Sequence, residues 1–254
     1  MSSTQSDPTD ALSAVPAAGS RRAVSPVGRL RFFYGPMDCG KSTLALQIDH
    51  NHARQGRKGL LLVRHDRSGL PQISSRIGIT RAAVEVDEGT DLRQLVRSRW
   101  ATGERVDYLI VDEAQFLTPA QVEQLAELAD DVQVDVYCFG IATDFRSHLF
   151  PGAQRLFELA DELQPVQVEV LCWCGQPGRF NARVQNGRIV REGDTVLVAD
   201  TQDSTPLGSD STTPGNAVLD ATGTTVRYQV LCRRHFRLGD LGPVAAQQDQ
   251  LILA

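Results

Sequence analysis

The residues of this chain most suited to chemistry are Gly35-Pro36-Met37-Asp38-Cys39-Gly40-Lys41-Ser42, followed by Thr43. The two glycines, the lysine and the serine match G-x-x-x-x-G-K-[ST]. In that pattern glycines let the backbone turn tightly and aim N–H groups at phosphate oxygens. The following helix adds its positive N-terminal end, Lys41 reaches the β- and γ-phosphates, and Ser42 offers a hydroxyl to Mg²⁺. The implied ligand is a nucleoside triphosphate. The alternative, an ordinary glycine loop, lacks the strand before and the helix after that this segment is expected to have.

A second candidate is Asp112-Glu113, at the end of an apolar run. A strand-end Asp paired with a phosphate loop helps hold Mg²⁺, and the adjacent Glu then lies where it can take a proton from an attacking oxygen. Without the loop, the pair would read as two carboxylates facing water. The third group is Cys172-x-Cys174 with Cys232-x-x-His235. Two close pairs of thiolate and imidazole ligands can close a tetrahedral Cys3His zinc site and pin a core-poor segment; buried free thiols are the competing reading. Cys138, inside an apolar run, reads as core. Cys39 stands in the phosphate loop, where a thiol could be exposed and reactive, although nothing requires a catalytic role of it. His50, His52, His65 and His148 have no partners at a recognisable spacing and read as solvated or loop residues.

These groups need elements to position them. Leu30–Tyr34 reads as a buried strand ending at Gly35, and Ser42 to Gly56 as a helix with a glycine stop. Gly59–Arg64 is a continuous apolar strand of the kind found in a sheet covered on both faces. A Ser/Gly-rich loop follows through Ser75, then a helix over Thr90–Trp100 and a strand at Tyr108–Val111. Thr118-Pro119-Ala120-Gln121 carries the signals of a helix start with a capping box, running to about Asp130. Val134–Gly140 supplies another strand. Alternating strands and helices predict an α/β domain with a mostly parallel sheet flanked by helices. Beyond it, Val166–Val170 alternates like a half-exposed strand, and Asn186-Gly187 is a hairpin signal. Helical periodicity is absent there, so a small β-rich appendage is expected.

The 254 residues, with 41% apolar and 22% charged content, suit a globular domain with an appendage. The expected organisation is a disordered tail over 1–27, a nucleotide-binding α/β domain over 28–165, and a metal-binding domain over 166–240 with a long mobile loop at about 200–225. A C-terminal tail covers 241–254. A net charge of −5 and a pI near 5.5 give no basic footprint for nucleic acid. No apolar stretch approaches the ~20 residues of a membrane span, and no export signal precedes the thiols. Cytoplasmic placement is expected, with no membrane and no nucleic acid as partner.

Linked segments in one order resemble a single family, the thymidine kinases of the type shared by many bacteria and the animal cytosolic enzyme. They are Phe33-Tyr34-Gly35-Pro36-Met37, Ser74-Ser75-Arg76-Ile77-Gly78, Val111-Asp112-Glu113-Ala114-Gln115-Phe116-Leu117, Thr143-Asp144-Phe145-Arg146 and Cys232-Arg233-Arg234-His235-Phe236. They cover about Leu30 to Phe236. The resemblance implies a RecA-like P-loop domain with a zinc-binding lasso domain. It also implies transfer of the γ-phosphoryl of ATP to the 5′-hydroxyl of thymidine or deoxyuridine, in pyrimidine salvage.

Family roles carry over residue by residue. Glu113 would be the general base and Arg67 an arginine beside the transferred phosphate. ATP and Mg²⁺ contacts fall on Gly35, Pro36, Met37, Asp38, Cys39, Gly40, Lys41, Ser42 and Thr43, and on Asp112, Glu113, Ala114 and Gln115. Met37, Ile141, Phe145, Phe150 and Tyr228 would form the thymidine pocket, although spacing alone would place Phe145 and Phe150 in the core. Structural Zn²⁺ would sit on Cys172, Cys174, Cys232 and His235, and the assembly would be a homotetramer. Two places depart from the pattern. Ala199-Asp200 stands where relatives commonly carry Gly-Gly, just after Leu197, and His65 stands where many carry a carboxylate, next to Asp66. A zinc-containing P-loop ATPase acting on nucleic acid, and an ATP sensor without turnover, are the competing readings.

Overall fold

A computed structural model of the protein describes residues 27–64, 71–75, 77–193, 217–219 and 225–243. The first part of the chain runs β1 (Leu30–Tyr34), α1 (Lys41–Arg54), β2 (Gly59–Arg64), β3 (Gln72–Ser74), β4 (Thr80–Ala82) and β5 (Val84–Val86). It continues with α2 (Leu92–Ala101), β6 (Tyr108–Asp112), α3 (Pro119–Val132), β7 (Asp135–Gly140), α4 (Pro151–Leu159) and β8 (Glu162–Pro165). Six of these strands form one sheet in the order β5-β2-β6-β7-β1-β8, and every pairing in it is parallel. The expected mostly parallel α/β architecture is present.

Because side chains alternate along a strand, the sheet buries two cores. One face carries Phe32, Leu62, Leu109, Val111 and Val136 against Val96 of α2, Leu125 of α3 and Leu156 of α4. The other carries Phe33, Leu61, Ile110 and Phe139 against Ala45 and Leu46 of α1, with Ile73 from β3 closing the edge. Burial on both faces explains why the strands read as unbroken apolar runs rather than as alternating ones.

Helix starts follow local chemistry. At α3 the Thr118 hydroxyl accepts from the Gln121 N–H, while the Gln121 side chain accepts from the Thr118 N–H. The same Gln121 amide donates to the carbonyls of Asp87 and Thr90, so the cap also fastens the segment before α2. Helix α2 begins after Asp91, not at Thr90, because the Asp91 carboxylate accepts from Gln94 N–H and Thr90 donates its hydroxyl to Asp87.

The second part of the chain holds β9 (Phe180–Gln185), β10 (Arg188–Val190), β11 (Ala217–Leu219), β12 (Thr225–Leu231) and α5 (Arg233–Leu238). These strands make an antiparallel sheet in the order β10-β9-β12-β11. The hairpin predicted at Asn186-Gly187 joins β9 to β10, with both residues at positive φ (48° and 70°), as a type I′ turn requires.

Several expectations are corrected. The loop expected through Ser75 contains β3, which pairs with β4; three-residue strands are too short to show periodicity. Val166–Val170 is not a strand. Strand β8 ends at Pro165 opposite Tyr34 because its partner β1 gives way there to the glycine loop. The region of 200–225 expected as a loop includes β11, which pairs with β12, and the segment without helical periodicity ends in α5, six residues long. His52 is not simply solvated. Its ring lies between Tyr137 Oη (2.9 Å) and Arg57 (3.0 Å), and burial together with the Arg57 charge holds its pKa below the ordinary value. His65, Arg67, Arg76, Leu197, nearly all of the 1–27 tail and residues 244–254 lie outside the described residues.

Replacing Thr118 with Ala removes the hydroxyl half of the capping box and should destabilise the folded chain by about 1 kcal/mol. Urea unfolding of the two proteins measures this directly, and superimposable curves would show that the cap contributes nothing.

Candidate active site

The glycine loop leaves the end of β1 and turns into α1. Asp38 and Gly40 both adopt left-handed backbone (φ 70° and 79°), which turns successive N–H groups toward one concavity, a geometry that binds anions. At Gly35 the requirement is space: a Cβ there would lie 2.5 Å from Cys39 Sγ. Cys39 is therefore packed under the loop and fully buried, against the expectation of an exposed, reactive thiol. Lys41 donates to the Pro36 carbonyl at 2.8 Å, with its Nζ 3.8 Å from Cys39 Sγ. The ammonium thus spans the loop that its charge would serve.

Sheet order brings the second motif to this loop, since only β7 separates β1 from β6. Asp112, at the end of β6, accepts from the Ser42 hydroxyl at 2.7 Å. Burial, and then the neighbouring Glu113 charge, raise the Asp112 pKa to about 6, although Ser42, the Glu113 N–H and Lys41 favour its ionised form. Glu113 itself holds φ 54°. A non-glycine residue in this region costs on the order of 1 kcal/mol or more and persists only where its surroundings dictate it. Here the Glu113 N–H donates to Asp112 Oδ1 (3.0 Å) and Gln115 Nε2 donates to Glu113 Oε2 (2.5 Å). Gln115 is 1% exposed, and its Oε1 accepts from the Ile141 N–H (3.1 Å). It bridges Glu113 to the end of β7. Ala114 is buried in the main core, and Thr43 follows Ser42 in the first turn of α1.

The apolar residues expected at the nucleoside site fall partly in the main core. Ile141 and Phe150 belong to the main core, Met37 packs against it, and the Phe150 ring meets Phe116 edge-on (5.4 Å, 78°). Phe145 rides on a turn fixed by Asp144, whose Oδ1 accepts from the N–H groups of Arg146 and His148 (2.9 Å each) and whose Oδ2 accepts from Arg146 Nε (2.9 Å). Across from it lie two residues that sequence reasoning missed. Asn181 accepts from the Met37 N–H at 2.8 Å. The Arg183 guanidinium lies 3.8 Å over the Phe145 ring and donates to Tyr228 Oη. The available signal was the alternation of Asn181 and Arg183 with apolar Ala182 and Val184 along β9, which puts two polar groups on one face.

Cys172, Cys174, Cys232 and His235 converge, with their donor atoms all within 4.8 Å of one another. Cys172 Sγ and Cys232 Sγ lie 3.4 and 3.5 Å from His235 Nδ1, and Cys174 Sγ is 4.0 Å from Cys232 Sγ. Tetrahedral zinc, with bonds of about 2.3 Å to sulfur and 2.0 Å to nitrogen, requires edges of roughly 3.5 and 3.8 Å. The cluster fits a structural metal. The His235 N–H holds the Cys232 thiol below its ordinary pKa, and Trp173 stacks on the His235 ring (4.2 Å, 22°).

The chain matches the family model described as thymidine kinase over residues 28–236. A protein named thymidine kinase from Cutibacterium acnes is 48% identical over 219 residues, 86% of this chain and 93% of that protein. One of the same name from Streptomyces coelicolor is 51% identical over 208 residues, 82% and 88% of the two chains. A third, from Coxiella burnetii, is 32% identical over 216 residues, 84% and 97%.

Thiol accessibility follows from the burial of Cys39 and Cys138. Brief alkylation of the native protein, read by peptide mass spectrometry, should leave both unmodified and label them only after denaturation. Rapid native labelling of Cys39 would contradict the packing under Gly35.

Proposed function

The chain belongs to the thymidine kinase family, and from that premise we propose how its residues transfer the γ-phosphoryl of ATP to the 5′-hydroxyl of thymidine. The observation that carries the reading is the 2.7 Å contact of Ser42 with buried Asp112, with Glu113 next in sequence and held through Gln115 to Ile141. A phosphate loop and a strand-end carboxylate sharing one point form the arrangement that phosphoryl transfer requires.

ATP binds with its phosphates in the concavity of Gly35 to Thr43. Lys41 exchanges the Pro36 carbonyl for the β- and γ-phosphate oxygens, a stronger, charge-assisted partner. The Ser42 hydroxyl and the Asp112 carboxylate are hard oxygen donors side by side, and they would hold Mg²⁺, which when bound neutralises charge on the β- and γ-phosphates. Thymidine lies against Met37, Ile141, Phe145, Phe150 and Tyr228. Glu113 accepts the proton of the 5′-hydroxyl as its oxygen bonds to the γ-phosphorus and the bond to the ADP oxygen breaks. Gln115 keeps that carboxylate aimed, by anchoring it to the Ile141 backbone. Arg67 supplies positive charge beside the transferred group. Ala114 supports the motif from within the core rather than through its side chain.

The same reading divides the chain into the nucleotide-binding part over 28–165 and the metal-binding part over 166–240, with Zn²⁺ on Cys172, Cys174, Cys232 and His235 as a structural staple. Among the described residues no helix is long and apolar enough to cross a membrane. A cytoplasmic homotetramer that also accepts deoxyuridine completes the proposal.

Incubation with ATP, Mg²⁺ and thymidine should yield thymidine monophosphate. Glu113→Gln should lower kcat by about 10²–10⁴-fold, the range of lost general-base catalysis, with little change in the folded structure. Failure of the wild type to form product, or full turnover by the variant, would sink the mechanism.

The metal makes its own prediction. Protein purified without chelator should carry a stoichiometric amount of zinc by elemental analysis. Cys174→Ser should lose most of it and melt at lower temperature. Zinc-free wild type with an unchanged melting temperature would mean that the cluster consists of free thiols.

A further inference from the structure

Strand β9 sets Asn181 and Arg183 two residues apart on one face, and both are almost wholly buried, at 3% and 1% exposure. Their neighbours Ala182 and Val184 face the opposite way, into the small core with Leu231 and Phe236. A strand serving only that core would need no arginine on its other face. A buried guanidinium loses its hydration and must recover it from specific partners, so an apolar residue of similar volume would often stabilise the fold more. The partners of Arg183 indicate what it does there. Its guanidinium carbon lies 3.8 Å from the Phe145 ring centroid, and its Nε and Nη2 donate to Tyr228 Oη at 3.0 and 2.9 Å. Tyr228 is the residue directly opposite Arg183 across the β9–β12 pairing.

Phe145 comes from the turn after β7, and Tyr228 from the second sheet. Arg183 touches both. A planar cation stacked on one ring and forked onto the hydroxyl of the other fixes their relative position as lysine, a point charge on a flexible stem, would not. We infer that Arg183 is a positioning residue for the nucleoside: it locks Phe145 and Tyr228 into one pre-formed wall, so that binding thymidine does not have to order two separate aromatic side chains. The inference rests on the proposed assignment of Phe145 and Tyr228 to the thymidine pocket. Asn181, two residues earlier on the same face, ties β9 to the phosphate loop at Met37, so the clamp is registered against the site of transfer.

The test is steady-state kinetics on the full chain with Arg183→Met, Arg183→Lys, Tyr228→Phe and the Arg183→Met/Tyr228→Phe double variant, alongside melting temperatures. Losing pre-organisation should raise KM for thymidine roughly tenfold in Arg183→Met, with KM for ATP unchanged within about twofold. Arg183→Lys should recover little of the loss. Because Arg183 and Tyr228 act through one contact, the double variant should be about as impaired as the worse single variant, not the product of the two.

An unchanged thymidine KM in Arg183→Met, parallel losses for both substrates, or multiplying effects in the double variant would overturn the inference and leave Arg183 as a packing residue. If Arg183→Met does not fold, Arg183→Lys and Tyr228→Phe decide the matter. A selective rise in thymidine KM in both supports the clamp, and no rise in either overturns it. Wild type without thymidine kinase activity would instead overturn the functional reading on which the inference stands.

Discussion

Much of this molecule is arranged around one expensive group, the Asp112 carboxylate at the end of β6. Burial, and then the Glu113 charge beside it, raise its pKa, which settles at about 6 against the opposing pull of its hydrogen bonds and Lys41. The compensation comes from elsewhere in the chain: the Ser42 hydroxyl at 2.7 Å, the positive end of α1 and the Lys41 charge. For those groups to arrive, the loop after β1 must lie next to the end of β6. The sheet order does this by leaving only β7 between them. The crossover from β1 through α1 to β2, on the far side of β6, follows from that demand, and so do the two buried cores that cover the sheet.

The end of β7 then becomes the third participant. Gly140 has no room for a side chain, because a Cβ would lie 2.6 Å from Gln115 Oε1. That close approach lets the Gln115 amide reach both the Ile141 N–H and the Glu113 carboxylate. Glu113 is held in a left-handed conformation by contacts on either side. A strained carboxylate, an inward amide and a buried acid are each unfavourable alone, and together they satisfy one another. The second sheet reaches this centre through β9, with Asn181 on Met37 and Arg183 on Phe145 and on Tyr228 of the neighbouring β12. Its own core is small, and Cys172, Cys174, Cys232 and His235 cluster at its end in an arrangement that fits a structural metal.

Legibility in the sequence tracked the range of the forces involved. Buried parallel strands announced themselves as apolar runs, and Thr118-Pro119-Ala120-Gln121 declared its helix because capping is settled within four residues. Asn186-Gly187 declared its hairpin for the same reason. The bounds of strand β8 are not legible locally, because its end is set by where β1 stops, not by its own residues. Strands β3, β4 and β11 carry no pattern of their own because each is three residues long and is specified by a partner. The burial of Cys39 is not legible locally, because the Gly35 contact that covers it exists only after the loop has folded.

By itself the sequence singled out the residues suited to chemistry: the phosphate loop, Asp112-Glu113, and the Cys172, Cys174, Cys232 and His235 set. Their roles depend on atom types and short spacings that survive in any conformation the motif permits. Only the tertiary structure decided that Gln115 links Glu113 to Ile141 and that Asn181 and Arg183 join the second sheet to Met37 and Phe145. Those are contacts between residues up to 144 positions apart. No local pattern encodes such a contact, because it comes into being when two sheets pack and each buried polar group must find whatever partner the other sheet presents.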